Sequence, residues 1–241
     1  RRGELTILTG RTGQGKTTLV AQMSLDLAEA HVTTLWGSFE VSNVRLASKM
    51  LQQHARKSLE GVPDQEFDRN ADSFASLPIF YMAYYGGTKV DVVLEAMEFA
   101  VHAHDVTHII IDNLQFMSSG MARGSEIFSL MDQTIHRLRN FASAFQVHIT
   151  VVVHPRKEDE GTHLSLSSVF GSAKATQEAD NVIILQDTGA YKFIDVRKNR
   201  FDGQLGTVPV RFDRKSLRYS ELTEEEAERL ELEARAEGMV F

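Results

Sequence analysis

The sequence predicts a doubly wound α/β fold, in which helices cover both faces of a mostly parallel sheet. Strand-like runs alternate with helical patterns through most of the chain. The strand-like runs are continuously apolar, which is typical of strands buried on both faces. A glycine-rich turn also joins the first strand to the first helix. In such folds ligands bind at the carboxyl ends of the strands.

The pattern places six strands and five helices in alternation, followed by an antiparallel extension. The predicted strands are Leu5–Thr9, Thr33–Phe39, Ile79–Met82, His108–Asp112, Val147–Val153 and Asn181–Gln186, and the helices cover residues 16–30, 42–57, 64–76, 88–104 and 125–145. The last runs, Tyr191–Lys198, Thr207–Phe212 and Ser216–Tyr219, alternate in polarity and are separated by turns, which favours antiparallel pairing at the sheet edge. Residues 155–168 form a long gap without a predicted element, which we expect to be both functional and disordered.

Residues 1–220 are predicted to form one α/β domain, and residues 221–241 an acidic helical tail. Thr223 and Glu226 have the spacing of a capping box, and Gly238 is placed to end the helix. The tail carries most of the net charge of −7. That charge therefore says little about the partners of the rest of the chain.

Composition narrows the possible chemistry. The 241 residues are enough for one α/β domain with a sizeable core. The absence of cysteine excludes disulfides, thiolate zinc sites and thiol catalysis. No apolar run approaches the roughly 20 residues that span a bilayer, so we expect no membrane insertion. Because the sequence starts without Met, we expect a domain of a longer protein.

The segment Gly10-Arg11-Thr12-Gly13-Gln14-Gly15-Lys16-Thr17 fits the phosphate-binding loop pattern between a strand and a helix. Backbone N–H groups from Gly10 through Thr18 would surround the phosphates of ATP at a helix N-terminus. Lys16 would reach the β- and γ-phosphates, and the Thr17 hydroxyl would bind Mg²⁺. The alternative is a glycine-rich turn without a ligand, which this spacing and context disfavour.

Two carboxylates follow predicted strands at the same edge of the sheet. Asp112 ends an apolar strand, where it would bind Mg²⁺ opposite the phosphate loop. Glu40 follows another strand and could orient water toward the γ-phosphate. Glu40 could equally be an acid that stabilises the N-terminus of the next helix.

Two further polar groups are open to both functional and ordinary interpretations. His154 follows a strand and could sense the γ-phosphate, although a histidine there is more often a capping or surface residue. Lys198 and Arg200 lie in a segment that is slightly basic, and a guanidinium could stabilise charge on a breaking phosphoryl bond. Composition alone would make them a solvated basic turn.

Several blocks of sequence together resemble the mitochondrial members of the DnaB-like, RecA-like hexameric replicative helicases. The blocks are Trp36–Ala47, His108–Met117, Val153–Asp159, Phe170–Ala175, Gln177–Asn181 and Lys198–Gly203, in the order found in that family. The resemblance covers the C-terminal motor domain alone. It implies an ATP- and Mg²⁺-dependent 5′–3′ DNA helicase in the mitochondrial matrix, acting as a ring with other replication proteins on single-stranded and forked DNA.

The resemblance also implies roles for individual residues. Glu40 matches the catalytic base, Asp112 the residue on the Mg²⁺ side, and His154 the phosphate sensor. Arg200, with Lys198 beside it, matches an arginine finger that serves the neighbouring subunit. The remaining matches are Phe212 against the nucleobase, Arg156, Lys157, Gly171, Ser172 and Lys174 on DNA, and Gln177 in coupling hydrolysis to movement.

Two other functions remain compatible with the same core. A recombinase-type protein of this fold would coat DNA as an open filament without unwinding it. A signalling ATPase would use the same loops to bind protein rather than DNA.

Overall fold

The computed structural model describes residues 1–84, 86–117, 126–156, 162–169 and 173–236. Within those ranges nine strands form one sheet in the order β3-β2-β4-β5-β1-β6-β7-β8-β9. The strands are β1 (Leu5–Gly10), β2 (Thr34–Ser38), β3 (Ile79–Tyr81), β4 (His108–Asp112), β5 (His148–Val152), β6 (Asn181–Asp187), β7 (Lys192–Asn199), β8 (Gly206–Asp213) and β9 (Arg218–Glu221). The pairs among β1 to β6 are parallel, whereas β6 to β9 pair antiparallel.

Helices connect the parallel strands and cover both faces of the sheet. They are α1 (Lys16–Glu29), α2 (Asn43–Ala55), α3 (Asp64–Ala75), α4 (Val90–His104), α5 (Leu114–Met117), α6 (Glu126–Phe145), α7 (Ala173–Glu178) and α8 (Glu224–Ala236). No helix within the described ranges has the length and apolarity needed to cross a membrane.

The core has two halves because successive side chains of a strand point to opposite faces. In β4, Ile109 and Ile111 belong to the cluster on one face, and Ile110 belongs to the cluster on the other. All three are fully buried, and burial of each contributes about 1.5–3 kcal/mol. The continuous apolar run in the sequence therefore reflects a strand covered on both sides.

The predicted fold class is confirmed, and the main strand boundaries agree within about two residues. Three short elements were not predicted: α5, α7 and the 3₁₀ turn Leu166–Ser168. Each has six residues or fewer, too few for a helical period to be visible in the sequence.

The tail begins with the predicted capping box. The Thr223 N–H donates to Glu226 Oε2 at 3.0 Å, and the Glu226 N–H donates to Thr223 Oγ1 at 3.2 Å. Helix α8 then packs on the antiparallel extension, where the Tyr191 hydroxyl donates to Glu231 at 2.9 Å. Gly238 lies outside the described residues, and the division at residue 220 stays a prediction.

Candidate nucleotide-binding site

The loop between β1 and α1 requires glycine at two positions. A Cβ on Gly10 would lie 2.6 Å from the Leu185 carbonyl oxygen of the neighbouring strand. Gly15 has φ +99°, and a Cβ there would lie 2.2 Å from the Tyr219 hydroxyl oxygen. The loop is therefore packed closely between β6 and β9, and its backbone runs into the N-terminus of α1. This is the geometry of an anion-binding turn.

Lys16 is buried at the start of α1, with its ammonium directed back into the loop. Its Nζ donates to the Gly10 carbonyl at 2.8 Å and to the Arg11 carbonyl at 3.1 Å. Burial lowers the pKa of Lys16, while the carboxylates of Asp112 and Glu40 oppose that change. Phosphate oxygens would compete with these carbonyls for the same protons.

Asp112 lies at the end of β4 facing the loop, with 1% of its surface exposed. Burial raises the pKa of Asp112 to about 6, with Thr17, Lys16 and Lys49 opposing the rise. Apart from the Thr17 hydroxyl, neither carboxylate oxygen has a hydrogen-bond partner in the protein. A buried pair of acceptor oxygens near a threonine hydroxyl fits Mg²⁺, which prefers hard oxygen ligands.

Glu40 and His154 converge on Asn113, which directly follows Asp112. The Asn113 amide Nδ2 lies 2.8 Å from His154 Nε2 and also hydrogen-bonds Glu40 Oε2. His154 Nε2 is itself 3.4 Å from Glu40 Oε2. Burial and the nearby Lys16 ammonium lower the pKa of His154, so the imidazole is neutral at pH 7. The strand ends of β2, β4 and β5 thus meet in one polar network.

Gln115 fixes the backbone of His154 from both sides. Its Nε2 donates to the His154 carbonyl at 3.2 Å, and its Oε1 accepts from the His154 N–H at 3.1 Å. Sequence reasoning assigned no role to Asn113 or Gln115. The position of Asn113 at a strand end was the available signal, but only the structure shows that its amide reaches two other strands.

Lys49 is a second cation beside this site that sequence reasoning missed. It projects from α2, and its Nζ donates to Thr18 Oγ1 at 3.1 Å. Burial lowers the pKa of Lys49, and Asp112 opposes that change. A lone lysine on an amphipathic helix gives no sequence signal of such a contact.

Arg200 lies at the opposite end of the parallel strands from the phosphate loop. Its N–H donates to the Asp180 carbonyl at 2.9 Å, and the Asp180 carboxylate accepts from the Leu5 N–H at the start of β1. The phosphate loop begins after the other end of β1, about 17 Å away at roughly 3.3 Å per residue. The Arg200 guanidinium instead contacts its own chain, at Asp180 Oδ1 (3.1 Å) and the Gln177 carbonyl (2.7 Å).

Lys198 and Gln177 belong to the same edge as Arg200. The Lys198 ammonium donates to the carbonyls of Thr176, Gln177 and Ala179 at the end of α7. Gln177 is exposed there and has no described contact with His154. The structure therefore does not bring the predicted coupling residue to the predicted sensor.

Phe212 lies opposite Tyr219 in the β8–β9 pair, with their ring centroids 5.0 Å apart. The Tyr219 hydroxyl donates to the Gln14 carbonyl of the phosphate loop at 3.2 Å. The Gln22 side chain bonds the backbone N–H and carbonyl of Tyr219 at 2.6 and 3.0 Å. The Tyr219 ring therefore lies between Phe212 and the phosphate loop, an arrangement compatible with the predicted contact of Phe212 to a nucleobase.

The predicted DNA contacts are only partly within the described residues. Arg156 is exposed, and its N–H donates to the Ser168 carbonyl at 2.7 Å. Lys157, Gly171 and Ser172 lie outside the described residues. Lys174 belongs to α7, but its side chain is also outside the description. These DNA contacts stay predictions.

Comparison with known proteins identifies a matching family and a similar phage protein. The family described as AAA domain matches residues 1–160. The DNA helicase/primase of Enterobacteria phage T3 is 22% identical over 238 residues, covering 86% of this chain and 40% of that protein. The chain thus spans about 40% of the length of that relative.

Solved structures share the fold at low sequence identity. One of them, described as an ATPase domain, has a TM-score of 0.81 at 14% identity, covering 92% of this chain and 86% of that one. A DnaB-like replicative helicase, whose structure was described with its interactions with primase, has a TM-score of 0.82 at 14% identity, covering 92% and 58%. The fold is therefore the RecA-like fold of these ATPase domains.

Proposed function

This chain belongs to the AAA domain family, and we propose that it is the ATP-hydrolysing motor domain of a DnaB-like replicative DNA helicase. The observation that carries the proposal is the meeting of four groups at one sheet edge: the Lys16 ammonium, the buried Asp112 carboxylate, Glu40 and His154. The phage T3 relative is named a helicase/primase, which supports DNA unwinding as the work done with ATP.

The side chains of this site have complementary roles in phosphoryl transfer. The Lys16 ammonium would exchange its two carbonyl partners for β- and γ-phosphate oxygens, while loop N–H groups from Gly10 to Thr18 hold the remaining oxygens. Mg²⁺ held by Thr17 and Asp112 would neutralise charge on the phosphates.

Glu40 is the proposed general base. Its carboxylate, a third of which is exposed, would accept a proton from water and aim that water at the γ-phosphorus. Asn113 holds Glu40 and His154 in contact, so loss of the γ-phosphate would be felt by both. His154 and Gln177 are proposed to pass that change on toward the DNA loops.

Arg200 is proposed to act on the nucleotide of a neighbouring copy, with Lys198 positioning the segment that carries it. Its own phosphate loop is at the other end of β1, too distant for its side chain to reach. A head-to-tail arrangement would bring Arg200 to the loop of the next chain, and such contacts close into rings. We propose a ring of six, following the family resemblance.

The finer features of the function are proposed from the family resemblance. The motor would move 5′–3′ on single-stranded DNA held by Arg156, Lys157, Gly171, Ser172 and Lys174, exclude the other strand of a fork, and work with other replication proteins. Phosphate contacts of this kind grip DNA without reading its sequence. Phe212 would contact the nucleobase. From the resemblance to Twinkle, the mitochondrial helicase, we propose that this activity takes place in the mitochondrial matrix.

Strand separation on a forked duplex tests the proposal. We expect ATP- and Mg²⁺-dependent unwinding, with ATP turnover stimulated by single-stranded DNA, and no unwinding by Glu40→Gln. The Glu40→Gln protein should still bind nucleotide. Filament formation on DNA without unwinding would favour a recombinase-type function. ATP turnover with no salt-dependent DNA binding would favour a signalling ATPase.

A further inference from the structure

One side chain of the phosphate loop reaches a segment that follows the predicted DNA contacts Arg156 and Lys157 in the sequence. The Arg11 Nη2 donates to the Thr162 carbonyl oxygen at 2.8 Å, across 151 residues of sequence. Thr162 opens residues 162–169, which follow the predicted DNA loop and which we name the return segment. Arg11, Gln14, Thr162, Leu164 and Gln186 line a small cleft of about 200 Å³ between the phosphate loop, the return segment and β6.

The C-terminal end of the return segment pairs with residues 155 and 156, at the start of the predicted DNA loop. Pro155 and Val169 form an antiparallel bridge, and the Arg156 N–H donates to the Ser168 carbonyl at 2.7 Å. Arg156 is itself a predicted DNA contact. A shift of the return segment would therefore change the position of a residue proposed to hold DNA.

The middle of the return segment is fixed to the sheet by a buried amide. The Leu164 N–H donates to Gln186 Oε1 at 2.7 Å, and the Gln186 Nε2 donates to the Leu164 carbonyl at 3.2 Å. Gln186 also donates to Asp195 at 2.8 Å and has 3% of its surface exposed. The backbone of Leu164 is therefore anchored to β6 by two hydrogen bonds, two residues after Thr162.

Phosphate binding would act directly on the contacts of the Arg11 backbone. The Lys16 ammonium donates to the Arg11 carbonyl, and the Arg11 N–H donates to the Gln14 side chain inside the loop. Lys16 has three protons, and phosphate oxygens compete for them with the two carbonyls. Arg11 therefore has a backbone carbonyl bonded to the phosphate-binding lysine and a guanidinium bonded to the return segment.

We propose that Arg11 is a positioning residue that couples nucleotide binding to the return segment, and through it to Arg156, by its hydrogen bond to Thr162. This inference rests on the proposed function for its DNA readout, but the link from nucleotide to return segment is independent of DNA. It supplies a connection on the phosphate-loop side of the sheet, in addition to the route proposed through Gln177 at the opposite ends of the strands.

The first measurement needs no DNA. Hydrogen–deuterium exchange of residues 162–169 is compared with and without the slowly hydrolysed analogue ATPγS and Mg²⁺. We expect nucleotide to change exchange in the wild-type protein, no change in Arg11→Met, and recovery in Arg11→Lys, which restores a donor. Arg229→Met, which removes an exposed arginine of α8, is the matched control and should behave as wild type.

The second measurement is the ratio of single-stranded DNA dissociation constants without and with ATPγS. We expect a ratio of about 5 or more in the wild type, the usual scale of coupling between sites, and a ratio within about twofold of 1 in Arg11→Met. By linkage, DNA must change ATPγS affinity by the same factor in each protein. Titration of ATPγS itself reports whether Arg11→Met is folded.

The outcomes separate the two claims. Wild-type-like exchange changes and coupling in Arg11→Met would overturn the role of Arg11 while leaving the helicase proposal intact. Nucleotide-dependent exchange in residues 162–169 that disappears in Arg11→Met would support the link between nucleotide and return segment. If the wild-type protein also bound no DNA, the link would stand and the helicase proposal would be contradicted. An Arg11→Lys protein that stays uncoupled would also count against the hydrogen bond as the cause.

Discussion

Replacing Asp112 with Asn should stabilise the metal-free protein. The native structure raises the pKa of this carboxyl from 3.8 to about 6 because burial penalises the charged form. Holding the ionised group in the fold at pH 8 therefore costs about 3 kcal/mol, a value that already includes the attraction of Lys16 and Lys49. The amide of Asn carries no charge but needs hydrogen bonds of its own, so we expect a net gain of about 1–3 kcal/mol.

The sign of the pH dependence follows from proton binding. Between pH 3.8 and about 6 the native chain binds more protons at this site than the unfolded chain, so stability falls as pH rises through that window. The advantage of Asp112→Asn should therefore be about 2 kcal/mol smaller at pH 4.5 than at pH 8.

Urea unfolding in EDTA without nucleotide, at both pH values, measures this difference. Added Mg²⁺ and ATPγS should reverse the order, because ligand binding stabilises the wild type and the variant has lost a ligand oxygen. A variant less stable than the wild type at pH 8 in EDTA, or an advantage independent of pH, would refute the reasoning.

Three further predictions concern the remaining groups. Arg200→Ala should lower ATP turnover about 10³–10⁵-fold with little change in the affinity for a fluorescent ATP analogue, and undiminished turnover would remove the arginine finger. Gly15→Ala should abolish nucleotide binding and lower the thermal stability, because φ is +99° and the new methyl would meet the Tyr219 hydroxyl. Adding Tyr219→Phe should recover part of the lost thermal stability but not all, since φ stays positive. Asn113→Ala should lower turnover more than nucleotide affinity, because it removes the amide that hydrogen-bonds Glu40 while leaving the loop intact, and a normal rate constant would show that the amide is dispensable.

The fold could be predicted because its signals are local or periodic. The buried run of β4 and the glycine-rich turn after β1 both lie within a few consecutive residues, and the capping box of α8 spans four. The short helix α7 could not be predicted in this way, because six residues are too few to show a helical period and the helix end is stabilised by a contact from another strand. The Lys198 ammonium, from a distant strand, caps its end.

The site was predictable only where a strand end carried a polar residue of known type. That rule places Asp112, Glu40 and His154 at one edge, and the structure brings them together there. The rule says nothing of Lys49, which arrives from the middle of a helix. Nor does it reveal the bond from Arg11 to Thr162, because a contact across 151 residues depends on tertiary packing.

The central claim is that one chain supplies the phosphate loop and base while another supplies Arg200, and mixing two inactive variants tests it most directly. Glu40→Gln keeps Arg200, and Arg200→Ala keeps Glu40, so an equal mixture in a ring should contain intact sites at about a quarter of its interfaces. With ATP turnover followed as the ratio of the two proteins is varied, we predict that activity appears in the mixture and peaks near equal amounts. A mixture as inactive as its components, formed from proteins that each bind ATP and assemble, would contradict the claim.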